Sequence, residues 1–423
     1  MAQTSHIEVD LVALDHNLAV IRRVIGPNRR LCAVLKADAY GLGAVRVAKR
    51  LALRRVDMLA VYTLDQARDL LDASIALPIL VLMPAEDFDR ADSVYRAAAQ
   101  GRLQLTVHDE ASLRAAAELG ERLGIPLAVH IELDSGMARG GRGPEEATEL
   151  VRGVLGHTRL LLAGLSSHFA SGASSELMTF EQAAVFAEWV ESLGDLVPDE
   201  CMLHIANTGG TFRSDALHAT MVRVGAGLFG YAAFAFPANA EPQFADEAES
   251  LRPVVRWLSR VIHVGRVDSG RTVGYGGAWR ATRPTRVGLV PVGYADGYPL
   301  SLSSDLRQGL PGRCTAVRVR FDSAQGEPSW HEAQVIGRVS MDQLTIDLTD
   351  LPESVGLGAE VELFSADASA ANALPALAQA AGSSVYELMC RMSPKIERRY
   401  LAVEPERSSF PVVPRAPRVP APV

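Results

Sequence analysis

Cysteine is scarce in this chain. Four occur in 423 residues, Cys32, Cys201, Cys314 and Cys390, and no two are spaced as a ligand pair. That excludes a disulfide-built frame and a sequence-local zinc site, so no metal is expected, and it fits reduced thiols in a cytoplasmic protein. Long hydrophobic runs are missing as well: no stretch approaches the roughly 20 apolar residues of a membrane-spanning helix. The opening Met1-Ala-Gln-Thr-Ser-His6 has neither the basic nor the apolar segment of a secretory signal. A basic surplus is absent, since 42 Lys and Arg stand against 50 Asp and Glu for a net charge of -8. The basic stripe of a nucleic-acid binder is therefore not available. What remains is a chain long enough for two or three domains, with 48% hydrophobic residues, enough for a substantial enzyme core.

The most informative residue present is Lys36. It follows the apolar run Leu31-Cys-Ala-Val-Leu35, which reads as a buried strand, and precedes Ala37-Asp-Ala-Tyr40-Gly-Leu-Gly43. An ammonium at the edge of a core is costly to desolvate. A plain explanation is a lysine that snorkels its head to solvent. The chemical one is an amine whose burial favours the neutral form, able to join a carbonyl as a Schiff base.

The surroundings of Lys36 decide between the two. Apolar strand candidates recur at 31–35, 58–62, 79–83, 103–107, 127–132, 160–165, 202–205 and 222–227. Helical stretches rich in Ala, Leu, Glu and Arg lie between them, at 43–53, 64–72, 87–99, 109–123, 145–155 and 176–193, after a leading helix at 11–25. Eight alternations predict a (β/α)₈ barrel over residues 1–240, with a doubly wound sheet as the rival. Beyond Phe234-Ala-Phe-Pro the helices thin out. Short β-rich runs predict a mostly β domain over 241–405, with a helix at 374–381. The proline-rich stretch 406–423 reads as a disordered tail.

Active groups of such barrels gather at the C-terminal ends of the strands. Those positions hold Lys36 and Tyr40, Asp134-Ser-Gly-Met-Ala-Arg139, Ser166-Ser-His168, His204-Ile-Ala-Asn207-Thr208 and Arg223-Val-Gly225-Ala226. Each has a plain reading: His168 as a satisfied near-core histidine, Asn207-Thr208 as a helix cap, the glycines as turns. Together they offer one amine, two guanidiniums, an imidazole and a small-residue phosphate cradle, a set that suits pyridoxal 5'-phosphate.

These segments, in this order, resemble the alanine racemases, a fold-type III pyridoxal-phosphate family. The resemblance continues through Gly274-Tyr275-Gly276, Pro291-Val-Gly-Tyr294-Ala-Asp, Gly337-Arg-Val-Ser-Met341-Asp342 and Tyr386-Glu-Leu, and spans residues 7 to 400. It implies a homodimer with composite sites that makes D-alanine for peptidoglycan. Lys36 would hold the cofactor and serve as base on one face of the α-carbon. Tyr275 of the other subunit would serve on the opposite face, because a proton must leave one face and return to the other. Arg139 would bond the cofactor phenolate and the substrate carboxylate. Arg223 would face the pyridine nitrogen, with His204 behind it, and His168 would stack on the ring. Tyr40, Asn207, Thr208, Gly225, Ala226 and Tyr386 would bind the cofactor around its phosphate. Tyr294, Met341 and Asp342 would line the substrate entrance from the partner. Taken singly, Tyr275, Tyr294 and Met341 read as turn or core residues.

One departure from the family pattern matters. Many members carry a lysine, often carbamylated, where this chain has Glu132, seven residues before Arg139. A carboxylate supplies the sign and shape of a carbamate, so Glu132 is expected to hold Arg139 by a charge-assisted hydrogen bond. Two further readings stand beside the leading one. They are a broader amino-acid racemase or a decarboxylase on the same scaffold, and a pyridoxal-phosphate carrier without turnover. Arg223 argues against the decarboxylase, and the second domain with Tyr275 argues against the carrier.

Overall fold

A computed structural model describes residues 4–84, 87–232, 236–237, 239–304, 315–321 and 329–402. The sequence there sorts its strands by how many faces they bury. In β1 (His6–Asp10) only Ile7 and Val9 are buried, the alternation of a strand with one wet face. The next strands are near-continuous apolar runs, as strands covered on both faces must be. They are β2 (Arg30–Val34), β3 (Met58–Val61), β4 (Ile79–Pro84), β5 (Leu103–Val107), β6 (Leu127–Glu132), β7 (Leu160–Ser166), β8 (Met202–His204) and β9 (Met221–Val224). These eight form one sheet in the order β8-β7-β6-β5-β4-β3-β2-β9, every hydrogen-bonded neighbour parallel. Thr220 N donates to Leu203 O at 3.1 Å and Arg223 N to Ala206 O at 2.9 Å, which nearly closes the ring. The expected barrel is therefore the observed one.

The helices begin where short polar side chains take the first free backbone N–H groups. Asp10, Thr63, Asp92, Asp109 and Ser175 cap Leu11–Ile25, Leu64–Asp72, Ser93–Ala99, Glu110–Leu123 and Glu176–Leu193. The helix expected over 87–99 starts later, at Ser93. Asp89 Oδ1 takes the N–H of Ala91 and Asp92 in a turn, and Asp92 then caps the helix. No helix among the described residues is long and apolar enough to cross a membrane.

The second domain is a nine-stranded sheet. Its strands are β10 (Val255–Arg260), β11 (His263–Val267), β14 (Thr285–Val290), β15 (Ala316–Phe321), β16 (Ser329–Ile336), β17 (Leu344–Asp347), β18 (Glu360–Phe364) and β19 (Glu397–Leu401), joined by β1. A small ribbon, β12 (Thr272–Val273) with β13 (Trp279–Arg280), carries the Tyr275 turn. Helices follow at Leu374–Ala381, as expected, and at Val385–Arg391. One expectation is corrected. Residues 6–10 were assigned to the barrel, but β1 pairs antiparallel with β10 and parallel with β19. A strand with one buried face cannot sit in a ring of strands buried on both. The proline-rich tail lies outside the described residues.

After β2 the chain makes an unusual turn. Ala37, Asp38, Ala39 and Tyr40 follow Lys36 with φ of 53°, 54°, 53° and 60°. Side-chain-bearing residues in this left-handed conformation cost about 1–2 kcal/mol each. Asp38 holds the turn closed: its carbonyl accepts from Gly43 N at 2.9 Å and its carboxylate from Ala44 N at 2.6 Å. Strand β19 clamps it from outside, as Arg398 Nε donates to Gly41 O (3.1 Å) and Tyr400 Oη to Leu42 O (3.0 Å). Gly43 has φ +89°, and a Cβ there would lie 2.0 Å from Tyr400 Oη. Gly43→Ala is therefore expected to cost about 1–2 kcal/mol for the backbone alone, and more through the displaced tyrosine. Denaturant unfolding of the variant reads this directly; an unchanged midpoint would show that β19 does not clamp the turn.

Candidate active site

The C-terminal ends of β2, β6, β7, β8 and β9 open on one cavity of about 850 Å³. Lys36, Tyr40, Arg139, His168, Asn207, Thr208, Arg223, Gly225, Ala226 and Tyr386 all line it, as do Glu132 and His204. The second-domain residues other than Tyr386 do not. Tyr275 is 71% exposed, Met341 55% and Tyr294 44%, and Asp342 is exposed too. Their loops are tied together: Tyr294 N donates to Ser340 O at 3.0 Å and Ala295 N to Met341 O at 2.9 Å. Gly274 backs onto Arg338 N, so the Tyr275 turn adjoins the same loop.

Lys36 is half-buried at the cavity floor. Burial lowers its pKa, and the positive charges of Arg139 and Arg223 lower it further. Both effects favour the free amine, the form that attacks a carbonyl and accepts a proton.

Arg223 is buried, and its guanidinium is almost fully engaged. Nη1 donates to His204 O at 2.8 Å and contacts His204 Nδ1 at 2.5 Å. Nη2 donates to Ser167 O at 2.7 Å and contacts His168 Nδ1 at 3.1 Å. Of the five N–H groups of an arginine only Nε–H is left without a partner among the described residues. Behind it, His204 Nε2 lies 2.8 Å from His130 Nδ1, and His130 Nε2 lies 2.6 Å from Gln104 Oε1. Burial and the Arg223 charge press His204 and His168 well below the ordinary histidine range and His130 down to about 3. Sequence reasoning reached His204 but missed His130 and Gln104. Their signal was a polar residue inside an apolar strand, in Leu103-Gln-Leu and Val129-His-Ile.

The cradle is built by close approach. Gly225 N and Gly227 N each donate to Thr208 Oγ1 at 3.3 Å. A Cβ on Gly225 would lie 2.2 Å from Tyr40 Oη, so only glycine lets that hydroxyl in. The Tyr40 ring tilts against Tyr386 at 6.2 Å, and burial raises the pKa of both, keeping them neutral donors. Asn207 lines the cavity, but its amide is spent elsewhere: Oδ1 accepts from Gly210 N (3.1 Å) and Nδ2 donates to Phe169 O (3.2 Å).

The expected Glu132–Arg139 bond is corrected. Glu132 Oε2 lies 3.1 Å from His108 Nδ1, an ion-pair contact without hydrogen-bond alignment, and forms no ion pair with Arg139. The loop between them is the reason. Asp134 Oδ1 accepts from Gly136, Met137 and Ala138 N–H at 2.9–3.0 Å, Ala138 turns left-handed at φ 54°, and Arg139 lies exposed at the rim. Gly140 and Gly141 then pack on the acid and its histidine, where a Cβ would come within 2.7 Å of His108 Nδ1 or 2.4 Å of Glu132 O.

The chain is similar to known proteins over nearly its whole length. Residues 9–233 match the family model "Alanine racemase, N-terminal domain" and residues 254–400 "Alanine racemase, C-terminal domain". The alanine racemase of Cutibacterium acnes is 34% identical over 407 residues, covering 94% of this chain and 98% of that protein. That of Laribacter hongkongensis is 37% identical over 391 residues, covering 92% and 97%. The crystal structure of the biosynthetic alanine racemase of Pseudomonas aeruginosa superposes with a TM-score of 0.77 at 32% identity, over 95% of this chain and all of that one.

Two outcomes follow from the electrostatics. Below its folded-state pKa, Lys36 is charged in both states and the folded protein bears the desolvation cost. As pH rises from that value toward 10.5, the folded state has released the proton while the unfolded state still holds it, and the cost fades. Lys36→Met in cofactor-free protein should therefore be more stable than wild type at neutral pH, with the gap narrowing toward pH 10.5; a gap independent of pH would contradict this. For the acid–histidine pair, a double-mutant cycle of Glu132→Ala and His108→Ala should give a coupling of about 0.5–3 kcal/mol in unfolding free energy. Strict additivity would mean the pair is incidental.

Proposed function

The chain belongs to the alanine racemase family and is an enzyme of that kind, and we propose that it works with two bases, Lys36 on one face of the substrate α-carbon and the partner subunit's Tyr275 on the other. The observation that carries this reading is the division of the candidate residues. The amine and guanidiniums line the barrel cavity, while Tyr275, Tyr294 and Met341 are exposed outside it on the second domain. Such loops have their use when a second subunit brings them to the mouth of its neighbour.

The residues present fit pyridoxal 5'-phosphate. Lys36 offers the amine for covalent attachment, and Arg223 Nε–H is the donor free for a ring nitrogen. Tyr40, Thr208, Gly225 and Ala226 form a phosphate-sized recess into which a Cβ on Gly225 would intrude. When bound, the cofactor supplies the electron withdrawal that makes an amino-acid α-proton removable. Because arginine keeps its proton, Arg223 leaves the ring nitrogen unprotonated and that withdrawal modest, which disfavours decarboxylation and transamination. Arg139, exposed and with no carboxylate engaged among the described residues, takes the substrate carboxylate. Lys36 Nζ then accepts the α-proton from one face while Tyr275 Oη donates one to the other, and the reverse direction exchanges their roles. The D-alanine formed serves peptidoglycan synthesis.

Mixing inactive variants tests the composite site. Lys36→Ala and Tyr275→Phe should each lower racemisation by about 10²–10⁴-fold. After random subunit exchange, about a quarter of wild-type activity should return, since half the dimers are mixed and each holds one intact site. No recovery from demonstrably mixed dimers would place both bases on one chain and overturn the scheme. Borohydride should fix the cofactor on Lys36, read by peptide mass; fixation elsewhere would remove Lys36 from its role.

A further inference from the structure

We propose that Gln104 is a positioning residue for this reaction, acting through His130 and His204 to fix Arg223 so that Nε–H alone is left for the cofactor; the proposal rests on the reading above that Arg223 meets the ring. Gln104 lies on β5, far along the chain from Arg223 on β9, and buries its amide inside the barrel.

Each donor along this path fixes the next. Gln104 Nε2 lies 3.2 Å from Gly101 O. A carbonyl only accepts, so the amide atom facing it is the N–H₂ and the oxygen faces His130. That oxygen, 2.6 Å from His130 Nε2, also only accepts, so His130 bears its proton on Nε2. Its Nδ1 is then the acceptor, and His204 Nε2, at 2.8 Å, must be the donor. His204 Nδ1 is left as an acceptor for Arg223 Nη1–H at 2.5 Å. Every link has one donor and one acceptor, and the sequence of links has a single direction set by Gln104. Reversing it would turn a proton of His204 toward a guanidinium N–H and push the two apart. The burial that keeps both imidazoles neutral removes the alternative of a doubly protonated ring. A leucine or alanine at position 104 would give His130 Nε2 no acceptor, and both tautomers would become free to invert.

The test uses the cofactor-loaded enzyme with ¹⁵N-labelled histidine. Side-chain ¹⁵N spectra of the wild type should show His130 and His204 as neutral rings protonated on Nε2; a proton on Nδ1 of either, or on both nitrogens, would overturn the proposal. Gln104→Leu should show a mixture of tautomers. It should also lower the ratio of racemisation to pyruvate release by half-transamination about tenfold, the scale on which outer partners of a functional group act. Gln104→Glu, which keeps an acceptor oxygen, should retain the Nε2–H form of His130. Wild-type tautomers together with a wild-type ratio in Gln104→Leu would also overturn it. If that variant does not fold, the wild-type spectrum alone decides. Failure of the two-base reading is separable, because the mixed-dimer assay reads that scheme while the tautomers report the lock.

Discussion

A positive charge buried without a carboxylate partner governs this site. Arg223 is 6% exposed and forms no ion pair among the described residues. Taking a guanidinium out of water costs several kcal/mol even after relaxation, and here two carbonyls and two imidazole nitrogens offset it. The uncancelled charge then acts on its neighbours. It disfavours the protonated forms of His204, His130 and His168, and it adds to the desolvation that makes Lys36 a weaker acid-holder. Imidazoles kept neutral in this way can accept from the guanidinium, which is what holds it. The charge and its hydrogen-bond partners are thus mutually dependent.

The second dependence is mechanical. Four consecutive left-handed residues after Lys36 hold about 4–8 kcal/mol of backbone strain by the usual per-residue cost, so the turn persists only because other parts of the chain over-determine it. Arg398 is central among them. It reaches Gly41 O through Nε, Ser393 O through Nη1 and Met392 O through Nη2. One side chain of β19 therefore ties the lysine turn to the end of the helix that carries Tyr386. Since β1 also belongs to the second sheet, that sheet holds both the strand that leads into the barrel's first helix and, through β19, the Lys36 turn. That sheet thus braces the Lys36 turn and is tied through Arg398 to the helix whose Tyr386 packs beside Tyr40.

Much of this was legible in the sequence, and what was not has a physical reason. The eight barrel strands could be read because burial on both faces removes polar residues, leaving runs such as Met58–Val61 that hardly admit another assignment. Residues 6–10 were misassigned because proximity in sequence to a barrel helix says nothing about which sheet will accept a strand. The turn after Lys36 was illegible: Ala and Tyr favour right-handed backbone, and part of what holds it reversed comes from residues some 357 positions away. Glu132 lines the same cavity as Arg139. Its partner came out wrong because His108 reaches it from the adjacent strand end, where only the register of β5 against β6 brings them together. Gln104 and His130 escaped for the same reason, since a relay that joins residues of four strands, Gln104, His130, His204 and Arg223, has no sequence-local spacing.

The charge balance of the cavity also bears on what it accepts. The protein as a whole is acidic, at net -8, yet Lys36, Arg139 and Arg223 converge on one mouth. The acids nearby offset them only in part, Glu132 through its charge on Arg223. Glu132 faces His108, and Asp109 is committed to the Ser112 backbone and hydroxyl at the start of its helix, which hold its pKa down. A concave, partly desolvated surface with unspent positive charge raises the local concentration of anions, and walls of low dielectric strengthen each contact made there. Such a mouth favours a molecule carrying phosphate and another carrying carboxylate over any cationic amine of similar size. An amine nitrogen is better tolerated when a carboxylate enters with it, so the charge of the mouth favours zwitterions and anions over amines alone.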